Sequence, residues 1–268
     1  MSIITISRGT YSRGKDVAER LSKALNYECI SREIIIEASK EFNIPEIKLV
    51  RALHDSPSIL NRFTYGKERY LAFYQATFLR HLQNDNIVYH GLAGHTLVRN
   101  IPHVLKVRII ADLDYRIKEE MKREQISADQ ARHILVKDDQ ERRKWTMFVF
   151  GADIYNPELY DLTVHLVDMD VDDAVSLILH TIQFPCFQTT PESRKKLDDL
   201  VLSAQIKVAL INEYPDTIVT SAGGAVNVAI RGIAGNEEKV ILKVHKIADK
   251  MTGVKDVKIN IIPHLVEV

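Results

Sequence analysis

The sequence of 268 residues predicts an α/β protein, with a parallel sheet carrying helices on both faces, followed by a small α+β module. Short apolar segments alternate with amphipathic helical segments as far as Ile182, and parallel strands need crossover helices. Residues 183–195 (QFPCFQTTPESRK) then interrupt this periodicity with two prolines and a basic end, which is typical of an interdomain linker. We therefore predict domains at 1–184 and 196–268, with the linker at 185–195.

The first domain is expected to contain four strands and six helices. Its strands are short buried runs, and its helices carry apolar residues along one face. Ser127, with Gln130 three residues later, and Asp170 are expected to cap two of the helices. In chain order we expect strand 3–7, helix 15–25, helix 68–83, strands 87–90 and 104–110, helices 115–124, 128–136 and 140–150, strand 162–167 and helix 171–182.

The second domain is expected to have the order αββαβ within about 70 residues. The glycine pair Gly223-Gly224 predicts a hairpin, because tight hairpin turns need residues with positive φ. Gly253 follows a helical pattern at a position where glycine commonly ends a helix. The expected elements are helix 197–212, strands 217–221 and 226–230, helix 237–251 and strand 257–262.

Composition and charge exclude several classes of protein. The 36 basic residues equal the 36 acidic ones, so no overall field favours nucleic acid or anionic membrane, and any anion site must be local. We therefore expect no nucleic-acid partner. The two cysteines, Cys29 and Cys186, lack metal-binding spacing, which indicates a reducing compartment. With no signal-peptide pattern and no run of 18 apolar residues, we expect a cytoplasmic protein without a transmembrane segment.

Histidines do not indicate a metal site. Ten are present, and His90 and His95 flank the glycine-containing turn 91–94. A metal held by protein ligands alone would need further ligands at helical spacing, such as HExxH, and that spacing does not occur. His90 is more simply a residue at a strand end, and His95 either begins a helix or donates to a substrate.

The first junction between a strand and a helix carries a phosphate-loop pattern. Gly9 and Gly14-Lys15 match the first part of GxxxxGK[ST] in the required context. Backbone N–H groups at a helix N-terminus, with a lysine beside them, bind phosphate. Asp16 stands where the motif has Ser or Thr, and its carboxylate either binds Mg²⁺ through water or repels phosphate. An ordinary capped turn remains the alternative.

The stretch ITISRGTYSRGKDVAERLSKALNYECISREII resembles the opening of the cytidylate-kinase-like family of P-loop nucleoside-monophosphate kinases. Residues 11–16 fall on the family's GSGGRE, in which a basic residue precedes an acidic one. Further motifs follow in the family's order, and the resemblance covers about residues 1–182. It implies a P-loop kinase fold with a lid. The matching segments are 79–82, 86–94, 107–116 (VRIIADLDYR), 137–142 (KDDQER) and 150–162.

The resemblance implies an enzyme that uses ATP and Mg²⁺ with nucleotide substrates. The phosphate loop would hold the β-phosphate of ATP, with Mg²⁺ near Asp16. Considered alone, Arg142 and Arg143 fit a solvated helix face better than a site, whereas the resemblance places them in a lid over the transferring group. The implied loop residues are Ser12, Arg13, Gly14, Lys15 and Asp16, and the implied catalytic residues are Lys15, Arg116, Arg142 and Arg143.

Two positions differ from the family pattern. The family's GRGA turn reads GLAG at 91–94, so Leu92 replaces an arginine expected to bind the acceptor's phosphate. Ser31 replaces an aspartate. Arg80, Gly91 and His95 are the remaining candidates for acceptor contacts. The identity of the acceptor stays open, and so does the alternative of a catalytically degenerate, nucleotide-binding regulatory protein.

Residues 197–264 resemble a BON domain. The resemblance depends on Gly224, Gly232 and the segment 253–257 (GVKDV). Glycine is needed at such positions for backbone geometry, so this pattern specifies a fold rather than chemistry. It implies a lipid, small-ligand or protein partner for the C-terminal module, and a role in sensing a ligand or docking a partner.

Overall fold

The computed structural model describes residues 2–54, 67–91, 93–232 and 237–263. These residues form two compact units. The first contains the described residues of 2–36, 53–54 and 84–190, and the second contains 37–52, 67–83 and 191–263. Segments 37–52 and 67–83, which the sequence assigns to the first domain, thus belong to the second unit. No helix in these described ranges is both long and apolar enough to cross a bilayer.

A parallel sheet forms the centre of the first unit, as the sequence predicts, but it has five strands instead of the expected four. The sheet order is β2-β3-β1-β4-β5, and every neighbouring pair is parallel. The three-residue β2 is not predicted, because such a short strand leaves little pattern to detect. The strands are β1 (Ile3–Arg8), β2 (Glu28–Ile30), β3 (Ile87–His90), β4 (Val104–Ile110) and β5 (Leu162–His165).

Helices flank this sheet, and the helical segments 37–52 and 67–82 belong to the second unit. Ser127 forms the predicted capping box with Gln130, and Asp170 is the predicted N-cap and also forms a capping box, with Asp173. The segments predicted as helices 128–136 and 140–150 are one continuous helix, because the polar run between them continues the helical backbone. The helices up to residue 181 are α1 (Gly14–Leu25), α2 (Glu33–Glu41), α3 (Glu46–His54), α4 (Lys67–Leu82), α5 (Gly94–Leu97), α6 (Leu113–Glu124), α7 (Ala128–Phe150) and α8 (Val171–Thr181).

The core of the first unit lies where α1 and α8 cover the sheet. Ile4 and Ile6 of β1 and Val107 and Ile109 of β4 are almost fully buried there. Their alternation places the neighbouring residues, such as Ser7 and Arg108, on the other face of the sheet. That second face carries buried aliphatic residues such as Ile3 and Val104 at one end of the strands and polar side chains towards their carboxyl ends.

The C-terminal part of the second unit has the predicted αββαβ order. Strands β6 and β7 form an antiparallel hairpin, and β7 pairs in parallel with β8. Gly223 (φ 61°) and Gly224 (φ 87°) make the turn. Its first helix begins at Pro191, inside the predicted linker, since proline suits the first helical position. The elements are α9 (Pro191–Leu210), β6 (Ile218–Ala222), β7 (Ala225–Gly232), α10 (Glu237–Ala248) and β8 (Asp256–Pro263).

Helix α4 packs against α9 within the second unit. This contact explains why a segment far upstream in sequence belongs with the C-terminal module. The linker at 185–195 stays a prediction. In the structure it contains a 3₁₀ turn, Pro185–Phe187, and the first residues of α9.

Candidate phosphate-binding site

The turn between β1 and α1 is held tightly against β4. The Gly9 N–H donates to the Ile109 carbonyl at 3.0 Å. Tyr11 and Arg13 both adopt left-handed backbone conformations, at φ 55° and 58°. A Cβ on Gly14 would lie 2.7 Å from the Arg8 Cβ, a distance that side chains do not tolerate. Glycine is therefore required where α1 begins.

Ser12 stabilises the turn from inside. Its side chain is fully buried, and its hydroxyl oxygen lies 2.9 Å from the Ile109 carbonyl oxygen and 3.0 Å from that of Gly9. The single hydroxyl hydrogen is therefore used within the protein. The sequence predicts that Ser12 contacts phosphate. In the structure its hydroxyl instead contacts the carbonyls of Gly9 and Ile109.

The N-terminus of α1 has no side-chain cap. Arg13, at the N-cap position, makes no capping hydrogen bond. The N–H groups of Gly14, Lys15 and Asp16 lie in the first helical turn, where an α-helix offers them no internal acceptor. These donors, together with the positive end of the helix dipole, suit an anion. The residues present therefore fit a phosphate group.

The two charged residues that follow Gly14 each have a partner within the protein. The Asp16 carboxylate accepts a hydrogen bond from Arg13 Nε at 2.9 Å. Lys15 Nζ lies 3.5 Å from Glu19, and the Lys15 side chain is 59% exposed. Asp16 also presents the hard carboxylate oxygen that Mg²⁺ prefers.

A cavity of about 320 Å³ opens beside the turn. Four arginines and a single carboxylate contribute to its wall, so its lining is strongly positive. The lining includes turn residues, the end of β4 and two tyrosines. The lining residues are Arg8, Gly9, Arg108, Ile110, Ala111, Arg116, Asp139, Arg142, Ile154, Tyr155, Pro157, Tyr160 and Thr163.

Arg116 joins the turn to the long helix α7. Its Nη1 lies 2.7 Å from Asp139 Oδ2 and 3.2 Å from the Thr10 carbonyl oxygen. Asp139 Oδ1 accepts the Thr10 N–H at 3.2 Å. Arg116 Nε and Thr10 Oγ1 are buried with no hydrogen-bond partner among the described residues. The structure therefore places the predicted Arg116 at the phosphate turn, with unused hydrogen-bonding capacity.

Arg142 and Arg143, adjacent in sequence, have different surroundings. Arg142 lines the cavity and donates from Nη1 to the Arg8 carbonyl at 3.1 Å. Burial lowers the pKa of Arg142, and burial followed by the nearby Arg142 charge lowers the pKa of Arg8. Arg143 is exposed and donates from Nε to Asp153 at 2.9 Å. Only the first of this predicted pair reaches the cavity.

Helices α6 and α7, the second of which contains the predicted lid segment 137–142, contact the turn. A small apolar cluster between them includes the ring of Tyr11. The Arg123 guanidinium lies 3.7 Å from the centre of that ring, within the range of a cation–π contact. The same lid carries Asp139 and Arg142. It therefore positions charged groups against the phosphate turn.

The residues predicted to contact the acceptor, Arg80, Gly91 and His95, belong to different units. Arg80 lies in the second unit and donates to Glu41 at 2.6 and 2.7 Å and to Glu37 at 2.9 Å. These bonds, led by that to Glu41, raise its pKa. Gly91 is required, since a Cβ there would lie 2.4 Å from the Tyr89 hydroxyl. Leu92 lies outside the described residues.

His95 is buried beside the cavity rather than in its lining. It is 3% exposed, and its Nε2 lies 3.3 Å from the Tyr160 hydroxyl. Burial first, and then the charges of Arg108 and Lys106, lower its pKa to about 3. The neutral imidazole of His95 therefore contacts the Tyr160 hydroxyl and helps to hold that side chain in place. Ser31, the other departure from the family pattern, donates its N–H to Glu33 at 2.6 Å.

Sequence reasoning missed several residues of the cavity. Arg108 and Asp139 lie within the segments 107–116 and 137–142 that carry the family resemblance, but nothing local marks them as lining a site. Arg8 directly precedes Gly9. What identifies them is tertiary position: Arg8 ends β1 just before the phosphate turn, Arg108 lies beside Ile109, which accepts the Gly9 N–H, and Asp139 contacts Thr10 from α7. Among the described residues, no cluster of three or more His, Cys, Asp or Glu side chains could hold a metal ion.

Comparison with known proteins assigns the family. The model of the cytidylate kinase-like family matches residues 3–167, which is more than half of the chain. The chain belongs to the cytidylate kinase-like family. The match includes the phosphate turn, the lid and all five strands of the parallel sheet.

A curated protein and a solved structure are similar to this chain. A cytidylate kinase from Sulfolobus acidocaldarius is 26% identical over 180 residues, covering 67% of this chain and 93% of the relative. The crystal structure of an uncharacterised protein from Eubacterium ventriosum is similar with a TM-score of 0.53 and 22% identity, covering 68% of this chain and 98% of that one. The latter similarity concerns the fold alone. It agrees with the parallel sheet described above.

Proposed function

We propose that the protein transfers the terminal phosphoryl group of ATP to a nucleoside monophosphate. The observation that carries this proposal is the cavity beside the phosphate turn, where four arginines face a single carboxylate. Phosphoryl transfer requires positioning and neutralisation of oxygen charges, with little covalent work by the protein. A cavity with this excess of guanidinium groups suits that requirement.

The donor nucleotide would bind at the N-terminus of α1. The uncapped N–H groups of Gly14, Lys15 and Asp16 would hold its β-phosphate, and the exposed Lys15 ammonium is free to turn from Glu19 towards the phosphates. Mg²⁺, when bound with ATP near Asp16, would neutralise phosphate charge. Ser12 contributes by holding the turn, through its hydrogen bonds to backbone carbonyls.

In the transfer step, an oxygen of the acceptor's phosphate forms a bond to the γ-phosphorus of ATP. The bond from that phosphorus to the β,γ-bridging oxygen breaks, leaving ADP and a nucleoside diphosphate. Arg116 and Arg142 would neutralise the charge on the transferring group, because both line the cavity. In this proposal Arg143 holds Asp153 at the surface instead of contacting the phosphoryl group.

Turnover assays over the nucleoside monophosphates, with ATP and Mg²⁺, test the proposal. CMP is the first acceptor to try, because the curated relative is a cytidylate kinase. Lys15→Ala should lower kcat about 100-fold, the loss typical of removing one group that stabilises a transition state. Lys23→Ala, an exposed lysine on the same helix, is the control.

One outcome of these assays would contradict the proposal. If the wild-type protein binds ATP but turns over no nucleoside monophosphate, it is a nucleotide-binding regulator and not a kinase. Isothermal titration with ATP and with a non-hydrolysable analogue separates binding from turnover.

We further propose that residues 196–268 form a BON-like module that binds a ligand or partner and performs no chemistry. Its αββαβ order supports this, as does its glycine geometry: a Cβ on Gly224 would lie 2.4 Å from the Gly253 carbonyl oxygen. Asp199 accepts hydrogen bonds from the N–H groups of Gly223 and Gly224, at 2.7 and 3.1 Å, which fixes the hairpin.

Vesicle sedimentation of the full chain tests the lipid form of this proposal. Binding to phosphatidylglycerol vesicles but not to phosphatidylcholine vesicles would support an anionic lipid. Binding to neither would exclude a lipid partner and direct the search to small ligands and proteins.

A further inference from the structure

Three arginines in the wall of the cavity lack a carboxylate partner among the described residues. Arg116 is paired with Asp139, whereas Arg8, Arg108 and Arg142 form no ion pair there. Arg108 is the most unusual, because it projects from the middle of β4 and its residue is only 7% exposed. Burying a guanidinium without an anion is costly. The cost is relieved if the cavity receives an anion.

Arg108 is held in one orientation by neutral groups. Its Nη1 donates to the Tyr160 hydroxyl at 2.9 Å and to the Ile154 carbonyl. The rings of Tyr155 and Tyr160 each lie 5.2 Å from its central carbon. The Tyr160 hydroxyl also lies 3.1 Å from the Ile154 carbonyl oxygen. These contacts fix the plane of the guanidinium without neutralising its charge.

The remaining donors of Arg108 are available to a ligand. Nε and Nη2 make no hydrogen bond to the described residues, and the side chain lines the cavity together with Arg142. A planar guanidinium with free donors matches two oxygens of one phosphate group. The cross-strand neighbour Thr163 also lines the cavity.

We propose that Arg108 binds a phosphate group of a substrate in this cavity, and that Tyr160 is a positioning residue that orients it. The inference rests on the proposed function and adds a phosphate contact that the sequence did not indicate. Two sources share this chemistry: the γ-phosphate of ATP and the phosphate of the acceptor. Both present a phosphate dianion, and the experiment measures them separately.

Steady-state kinetics of Arg108→Gln, with ATP and the nucleoside monophosphate varied in turn, is the main test. We expect KM to rise at least tenfold for one of the two substrates, the loss typical of a hydrogen bond to a charged group. Arg108→Lys should recover only part of this, because an ammonium cannot bind two oxygens in one plane. Arg132→Gln is the control, because Arg132 is an exposed arginine of α7 that pairs with Asp114 and does not line the cavity.

Tyr160→Phe separates positioning from structural support. It removes the hydroxyl and keeps the ring, so it should raise the same KM about two- to fivefold. It should leave the KM of the other substrate unchanged. A general loss of structure would instead lower kcat and affect both substrates, together with the melting temperature. Such a result would overturn the positioning role.

Binding measurements test this inference separately from the proposed function. Inorganic phosphate, ATP and the nucleoside monophosphate are titrated separately into wild type, Arg108→Gln and Arg108→Lys. If the wild type turns over no acceptor, the proposed function fails, yet weaker phosphate binding by Arg108→Gln would still support the inference. Unchanged dissociation constants for all three compounds, in variants that fold as the wild type does, would overturn it.

Discussion

Arginines in the two compact units have opposite surroundings. In the first unit, Arg8, Arg108 and Arg142 contribute to a cavity wall without forming an ion pair to any described carboxylate. In the second unit, Arg80 donates three hydrogen bonds to two glutamates. The sequence analysis expects both to contact substrate, Arg142 as a catalytic residue of the lid and Arg80 as a contact of the acceptor.

This difference shows which arginines have capacity for a ligand. A guanidinium whose donors are used by carboxylates is electrostatically satisfied, and an incoming phosphate would have to displace them. A buried guanidinium beside empty space is unsatisfied until an anion arrives. The arginine charges in the cavity that lack carboxylate partners therefore favour the binding of phosphate. Arg80 instead stabilises the packing of α2 against α4.

The largest effect is expected for Arg142→Gln. Removing this cavity charge should lower kcat about 10²- to 10³-fold. The melting temperature should change little, because loss of the hydrogen bond to the Arg8 carbonyl is offset by removal of a buried charge that has no carboxylate partner. Steady-state kinetics and a thermal melt, each compared with Arg132→Gln, provide the check. A stable variant with nearly normal kcat would remove Arg142 from the transfer step.

Arg80→Gln should show the reverse pattern. Loss of the bonds to Glu37 and Glu41 leaves two carboxylates close together, and we expect the free energy of unfolding to fall by about 1–2 kcal/mol. Urea unfolding measures this loss, with Arg99→Gln as an exposed control. A raised KM for the acceptor without any loss of stability would instead support the acceptor role that the sequence assigns to Arg80.

Acid should destabilise the first unit through its buried histidines. The pKa of His95 is lowered to about 3, and burial and then the Arg8 charge lower that of His90 to about 4. The unfolded chain binds protons near its ordinary pKa of about 6.5, so the unfolded state holds more protons below that pH. Stability should therefore fall between about pH 6.5 and 4, by at most about 1.4 kcal/mol per pH unit for each histidine.

Urea unfolding at pH 7, 6 and 5 measures this slope. His95→Gln should make it shallower, since glutamine does not titrate and can still contact Tyr160. The exposed His133→Gln should leave the slope unchanged. Equal slopes for wild type and His95→Gln would show that His95 does not contribute.

The smallest effect is expected for Asp139→Asn. Its carboxylate accepts from Thr10 and Arg116 at the phosphate turn and opposes an incoming phosphate. Removing one negative charge should tighten ATP binding about fivefold, equivalent to about 1 kcal/mol. Calorimetric titration measures this, with the exposed Asp129→Asn as the control on the same helix. Weaker binding would show instead that Asp139 holds Arg116 in its active position.

Much of the fold could be predicted from local patterns. The strands β1, β3 and β4, the long helix α4 and the capping boxes of α7 and α8 follow from hydrophobic periodicity and cap residues. The glycine pair predicts the hairpin. The patterns failed for β2, α2, α3 and α5, which are short or have weak periodicity. They also failed at the start of α9, where Pro191 looks like a break and is a helix start.

The candidate site was predictable only in part. Gly14 and Lys15 are found by motif, because a phosphate turn requires glycine and a basic residue within a few positions of the helix start. Arg116 and Arg142 are found by resemblance. Arg8, Arg108 and Asp139 were missed, because their importance depends on what faces them across the sheet and the lid.

The sequence by itself determined the alternation of strands and helices, the phosphate turn and the order of the C-terminal module, because these depend on neighbours a few residues away. Tertiary structure alone decided which arginines are satisfied. Arg80 meets Glu41 across 39 positions, and Arg108 meets Tyr160 across 52. Such pairings depend on how elements pack, and the energy of a charge depends on burial and on its partners. The preference of the cavity for phosphate is therefore a property of the folded chain.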